Sequence, residues 1–217
     1  MKRVWKTLFS SMLIVGVVCL LTACGPKFDA SGYVKAALDA DIHGESAEYA
    51  KLLEITEEEA QQEYEEVLDS MVSEMSDLGL SDELNDKYRT LFADLLKKTD
   101  YTVLEATEND DGSFTVPVEI KPITNVFSGL MDELEADMTE YANSLVDSGD
   151  IPNDDEITEY AGQLVYDMLA ARLDAIEYGE AQTVEVTVAL DEDNAYGVAE
   201  DDIEALLTTM IDLGDLA

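Results

Sequence analysis

The spacing of apolar positions changes period several times along this chain, and each change marks an element. Val34, Leu38 and Ile42 recur every four residues, which is one face of a helix. Asp29 or Ser31 is placed to cap that helix, and Gly44 to end it. A short helix over 45–53 carries Tyr49, Leu52 and Leu53. Thr56-Glu57-Glu58-Glu59 then has the form of a capping box, in which side chains at both ends satisfy each other's free backbone N–H groups. It opens a long stripe of Ala60, Tyr64, Val67, Leu68, Met71, Val72, Met75 and Leu78, with Gly79 as its stop. Ser81 caps a further helix presenting Leu84, Tyr88, Leu91, Phe92, Leu95 and Leu96. Lys97 and Lys98 sit at its end, where the helix dipole favours cations.

The period then drops from 3.6 to 2. Residues 101–107 read as one strand, and Phe114, Val116, Val118 and Ile120 alternate with Thr115, Pro117, Glu119 and Lys121 in a second. Asp110-Asp111-Gly112 between them is a hairpin signal, because glycine accepts the positive φ that such a turn demands. Pro117 has no N–H to give to a ladder, which places its strand at an edge or leaves that position unpaired. Helical spacing returns from Asn125 or Leu130 to Ser148, with Leu130, Leu134, Met138, Tyr141 and Leu145 on one face. Asn153-Asp154-Asp155-Glu156 is another capping box, leading into Ile157, Tyr160, Ala161, Leu164, Met168, Leu169, Leu173 and Ile176. Val184, Val186, Val188 and Leu190 form a strand, Asp191–Asn194 a turn and Tyr196–Val198 a short strand. Ile203, Leu206, Leu207, Met210 and Ile211 line a last helix. The expected fold class is α+β: several long amphipathic helices on a small antiparallel sheet of about four strands. Thr102-Val103 with Asp110–Phe114 echoes Thr183-Val184 with Asp191–Tyr196, an offset that would fit an old duplication.

The amino terminus follows a different logic. Lys2, Arg3 and Lys6 precede an apolar run from Leu8 to Leu21, and Leu21-Thr22-Ala23-Cys24 follows. A charged start, a short apolar stretch and a small residue before the cut describe a secretory signal peptide over residues 1–23. The run is too short to cross a bilayer, which takes about 20 residues as a helix. The four residues ending in Cys24 resemble a bacterial lipobox. That resemblance implies cleavage between Ala23 and Cys24 and a diacylglyceryl group on the Cys24 sulfur. Two acyl chains anchor stably where one would be marginal. Residues 24–27 then form a lipidated terminus and a short tether, and residues 28–217 a single domain. With Cys19 removed and Cys24 lipidated, no disulfide is available to that domain. Its apolar core must hold it.

Fifty acids face twelve Lys and Arg, a formal charge of −38. Three of those cations lie in the leader, so the mature chain keeps nine against fifty and stands at −41. Such a surface excludes nucleic acid, whose phosphates need basic partners, and repels anionic headgroups. Histidine chemistry rests on His43 alone, at an expected helix end. No catalytic elbow, zinc motif, phosphate loop or dinucleotide fingerprint occurs, and no cofactor is implied. Asp191–Gly197 approaches a calcium loop, but Gly197 stands one position late, and Ala195 and Asp202 occupy ligand positions. Asp150–Glu156 and Glu108–Asp111 cluster oxygens without that register. Tyr64, Tyr88, Tyr141 and Tyr160 fall on apolar stripes and are expected in the core.

The segments 24–36, 114–122 and 178–186 together resemble acidic lipoproteins of Gram-positive Firmicutes that carry a domain of unknown function. The resemblance implies an address and no activity. Some small domains of such lipoproteins are similar to the cystatin-like or nuclear-transport-factor-like cone, a curved sheet wrapped on helices. The expected function is a lipid-anchored binding or interaction module on the outer face of the cell membrane. A protein, peptide or small molecule would be its partner, and it is not expected to be an enzyme. The alternatives are a passive acidic surface protein that captures cations or cationic peptides, and a hydrolase built on paired carboxylates.

Overall fold

The computed structural model describes residues 28–76, 78–149, 151–191 and 195–216. The leader, Cys24 and the tether lie outside them, as do Asp150, residues 192–194 and the side chain of Met75. Helix α1 (Ala30–His43) is followed by α2 (Ala47–Leu53), α3 (Glu57–Ser76) and α4 (Asp82–Leu96). Strands β1 (Asp100–Val103), β2 (Thr107–Glu108) and β3 (Phe114–Lys121) precede helices α5 (Leu130–Ser148) and α6 (Asp154–Leu173). Strands β4 (Gln182–Leu190) and β5 (Tyr196–Val198) and helix α7 (Glu200–Met210) complete the order, with a 3₁₀ turn at Gly214–Leu216. This is the α+β class.

The helix boundaries follow local chemistry. The Asp29 side chain accepts from the Gly32 N–H and starts α1. Gly44 ends it at φ 71°, with its N–H returned to Ala40. A Cβ at Gly44 would lie 2.9 Å from the Tyr64 ring, so glycine also lets α3 come close. Both capping boxes form. Glu59 accepts from the Thr56 N–H at 2.8 Å while Thr56 Oγ1 accepts from the Glu59 N–H. Asn153 and Glu156 do the same for α6.

The sheet is antiparallel throughout, in the order β1-β3-β4-β5, with β2 also paired to β3. Val116, Val118, Ile120, Val186 and Val188 are fully buried on one face, against α1 and α7. Glu119, Thr183, Glu185 and Thr187 are exposed on the other. This alternation is expected of an antiparallel sheet covered on one side. The 109–113 turn closes with Asn109 and Ser113 paired through backbone and side chains, Gly112 standing at φ 85°.

Two expectations for this sheet need correction. Pro117 lies in a central strand, between β1 and β4, so the edge placement fails, while the alternative, a position that gives no N–H to the ladder, holds. The single strand expected over 101–107 is broken into β1 and β2 across Leu104–Ala106. One cause explains both. The Leu104 N–H donates to the Pro117 carbonyl at 2.9 Å, but Pro117 has no N–H to return. Ser31 on α1 supplies the missing donor. Its hydroxyl donates to the Leu104 carbonyl at 2.9 Å and accepts from the Ala106 N–H at 2.8 Å. The register shifts by one residue between Val103↔Val118 and Thr107↔Thr115, so β1 and β2 are separated by a bulge.

The core runs continuously from α1 to the 3₁₀ turn. Tyr33, Tyr49, Tyr88, Phe92 and Phe127 are its largest fully buried residues. Helix α4 lies between α3 and α6, and the Tyr88 hydroxyl donates to the Gly162 carbonyl at 2.7 Å. From α6, Glu159 accepts from the Ser81 N–H and hydroxyl at 2.8 and 2.5 Å. It closes the start of α4 from a distant point in the chain, and those bonds hold its carboxyl below the usual range. Arg89 joins α4 to α3 through Glu65 and Asp69. Stripe residues Leu52, Leu78 and Tyr160 are more exposed than their spacing implied.

Candidate functional site

Three places concentrate chemistry. The first is the end of α1, where the structure sets His43 against β1. The His43 ring stacks on Tyr101 at 5.0 Å, and its Nε2 lies 3.1 Å from Thr99 Oγ1. The Thr99 hydroxyl donates to the Leu96 carbonyl at 2.8 Å, so its oxygen is left to accept and Nε2 carries the proton. The Tyr101 hydroxyl donates to Asp39 at 2.8 Å. Burial and the Asp39 carboxylate raise Tyr101 far above the ordinary phenol range, so it keeps its proton. Lys35 pairs with Asp39 at the rim. His43 therefore stands in the last turn of α1, as its sequence position implies, and is also part of a clasp between α1 and the α4–β1 junction. No Ser, Cys or Thr hydroxyl in this clasp is held for attack, since the Thr99 proton is already committed.

The second place is inside the helical layer. Asp41 on α1 is 6% exposed, and its Oδ2 has no hydrogen-bond partner among the described residues. Burial first, and the negative Glu63 second, push its carboxyl up to about 7. Burial and neighbouring acids also raise Glu63 on α3. Asp41 in turn helps to raise Tyr49 on α2. Nothing in the local pattern marks this group, because Asp41 lies beside Ile42 in an otherwise ordinary helical stripe. A protonated buried acid is a titrating part of the packing. A separate gap of about 10 Å³ between α4, α6 and the 126–127 segment is apolar and far too small for a ligand.

The third place is the helical hairpin formed by α5 and α6. Its base is firmly seated. Leu130 and Leu134 are buried. Arg172 donates to the carbonyls of Val126 and Ser128 at 3.0 and 2.9 Å and pairs with Glu133 at 2.5 Å. Beyond Leu134 no residue of α5 is buried, and helix α6 is its principal neighbour. Tyr141 and Tyr160 stack across the two helices, with ring centres 3.8 Å apart and planes 19° apart. They line an open groove of about 330 Å³ together with Asp137, Glu140, Ser144 and Leu164. At the apex, Val146 is 80% exposed and Ile151 is 94% exposed. From Pro122 to Ala171 the chain has twelve acids and no Lys, Arg or His. Among the described residues no cation pairs with Asp137 or Glu140.

Cys24 and Ala23, the expected lipidation and cleavage residues, lie outside the described residues. Among the described residues no three His, Cys, Asp or Glu side chains converge as a metal site would require. Asp191 instead closes its own turn, with Oδ1 accepting from the Ala195 N–H at 2.9 Å. No described helix is long and apolar enough to cross a membrane.

No protein-family profile and no curated protein sequence matches the chain. One solved structure is similar in fold: the crystal structure of a "putative lipoprotein" (ycdA) from Bacillus subtilis, at 2.62 Å resolution. The TM-score is 0.56 at 18% identity, over 85% of this chain. The match spans 56% of that protein, so the present chain corresponds to little more than half of it. At this identity the likeness shows a shared fold.

Proposed function

We propose that this protein is a lipid-anchored binding module of the outer membrane face, whose α5–α6 hairpin is the part that meets its partner. The observation that carries the reading is the hairpin itself. A folded arm that leaves Val146 and Ile151 in water, beyond a groove lined by Tyr141, Tyr160 and Leu164, offers apolar surface that a partner can cover. The leader and the Cys24 lipobox supply the address, and the fold shared with a protein described as a lipoprotein accords with it. The short tether, at most about 14 Å at roughly 3.5 Å per residue, keeps the domain near the headgroups. Its charge keeps it from lying on them.

The anchor is tested by intact-mass measurement of the native protein. The expected mass is that of residues 24–217 plus a diacylglyceryl group, and Cys24→Ser should move the protein out of the membrane fraction. An unmodified Cys24 or a retained leader overturns the address. The binding role is tested with a photo-crosslinking residue placed at 146, 151 or 183 in living cells. The two arm positions should give one shared adduct and the sheet position none. If neither arm position gives an adduct, the arm is not a contact surface.

A further inference from the structure

The character of the arm defines what can cover it. We infer that the α5–α6 groove docks a basic, amphipathic polypeptide segment, with cationic side chains against Asp137, Glu140 and the Tyr141–Tyr160 pair and apolar ones against Ile157 and the apex. The inference rests on the binding-module reading and adds the chemistry of the partner.

Charge eliminates the other occupants. An anionic lipid surface meets Asp147, Asp154, Asp155 and Glu156 around the apex and is repelled by them. A second copy brings a net charge of the same sign and offers no cation from its own arm. A purely apolar partner would have to strip water from Asp137 and Glu140 without replacing it. A Lys or Arg side chain satisfies both carboxylates and lies favourably over a tyrosine face. Tyr160 is 38% exposed and Ile157, one turn before it on the same side of α6, is 36% exposed. The apolar contact is therefore longer than one small amine would fill. A charge-only ligand would leave Ile157, Val146 and Ile151 unused.

The experiment titrates the mature protein, without its lipid, with an amphipathic lysine–leucine peptide. Oligolysine of equal charge and an amphipathic glutamate–leucine peptide serve as controls. At about 0.15 M salt, where screening acts beyond roughly 8 Å, the lysine–leucine peptide should bind and the glutamate–leucine peptide should not. Oligolysine should be at least about tenfold weaker, a difference worth about 1.4 kcal/mol. Asp137→Lys with Glu140→Lys, at a half-buried and an exposed position of α5, should weaken the lysine–leucine peptide by about tenfold or more with an unchanged circular dichroism spectrum. Val146→Ser with Ile151→Ser, which removes apolar surface without changing charge, should weaken it while leaving oligolysine unaffected. Equal binding of lysine–leucine peptide and oligolysine, binding of the acidic peptide, or indifference to both double variants overturns the inference. So does dimerisation through the arm in sedimentation. If arm adducts form in cells but the peptide fails, the partner chemistry falls and the binding module stands. If both fail, both fall.

Discussion

Asp41 shows how one side chain couples this protein to pH. Its carboxyl holds a proton to about pH 7 in the folded chain and only to about 3.8 when unfolded. Between those values unfolding releases a proton, so stability falls as pH rises and levels off above about 7. Moving from 3.8 to about 7 corresponds to roughly 4 kcal/mol across that window. Glu63 faces the same group and shifts the same way. Asp41→Asn removes the titration at nearly constant shape. The variant should match the wild type in melting temperature near pH 4 and exceed it by several degrees at pH 8. A difference that is constant from pH 4 to 8 would mean that Asp41 does not carry the proton. The opposite behaviour is expected of Asp111, whose carboxylate accepts from the Ser113 hydroxyl and N–H and is held below its usual value.

Among the elements, the sheet depends on a helix for its hydrogen bonding. Pro117 removes one donor from the centre of the sheet, and Ser31 on α1 replaces it at Leu104 while pairing Ala106. Ser31→Ala leaves one carbonyl and one N–H without these partners, at a cost of about 1–2 kcal/mol. In a domain of this size that lowers the melting temperature by about 4 °C. Hydrogen exchange should quicken at the Leu104 and Ala106 amides and not at the far edge near Val198. Uniform exchange changes would show that Ser31 serves general packing instead. The helix starts are of two kinds. Thr56 with Glu59, and Asn153 with Glu156, act within one turn of chain and are visible in its order. Glu159 at Ser81 and Arg172 at Val126 act between elements, and nothing in the local spacing announces them.

Over the whole molecule, net charge opposes folding and guides encounter. A formal charge of −38 repels itself in the compact state. Raising salt from about 0.01 to 0.15 M shortens the Debye length from roughly 30 to 8 Å. The melting temperature should rise with that change, because repulsion among many acids exceeds the attraction of the few pairs that Lys35, Lys51, Lys87, Arg89, Lys121 and Arg172 form among the described residues. Affinity for a basic segment should fall over the same range. The two quantities therefore respond to salt in opposite directions. A melting temperature that falls with salt would mean that the ion pairs outweigh the repulsion.

The class of fold, the order of helices and strands, the capping boxes and the 109–113 turn are all legible in chain order. These are set by neighbours three or four residues apart or by strict alternation, so their physics is written into chain order. It also determined the charge and the signal-like amino terminus. The tertiary structure alone decided which stripes are covered. Tyr88 and Tyr160 occupy the same position in their helices, each on an apolar stripe, yet one is fully buried and the other stands in a groove. It likewise decided that Pro117 lies in mid-sheet, that His43 is clasped by Thr99 and Tyr101, and that Asp41 is shut away from water. Periodicity tells a residue which way it faces along its own helix. What lies opposite is decided by contacts between residues far apart in the chain, and a local pattern carries no record of them.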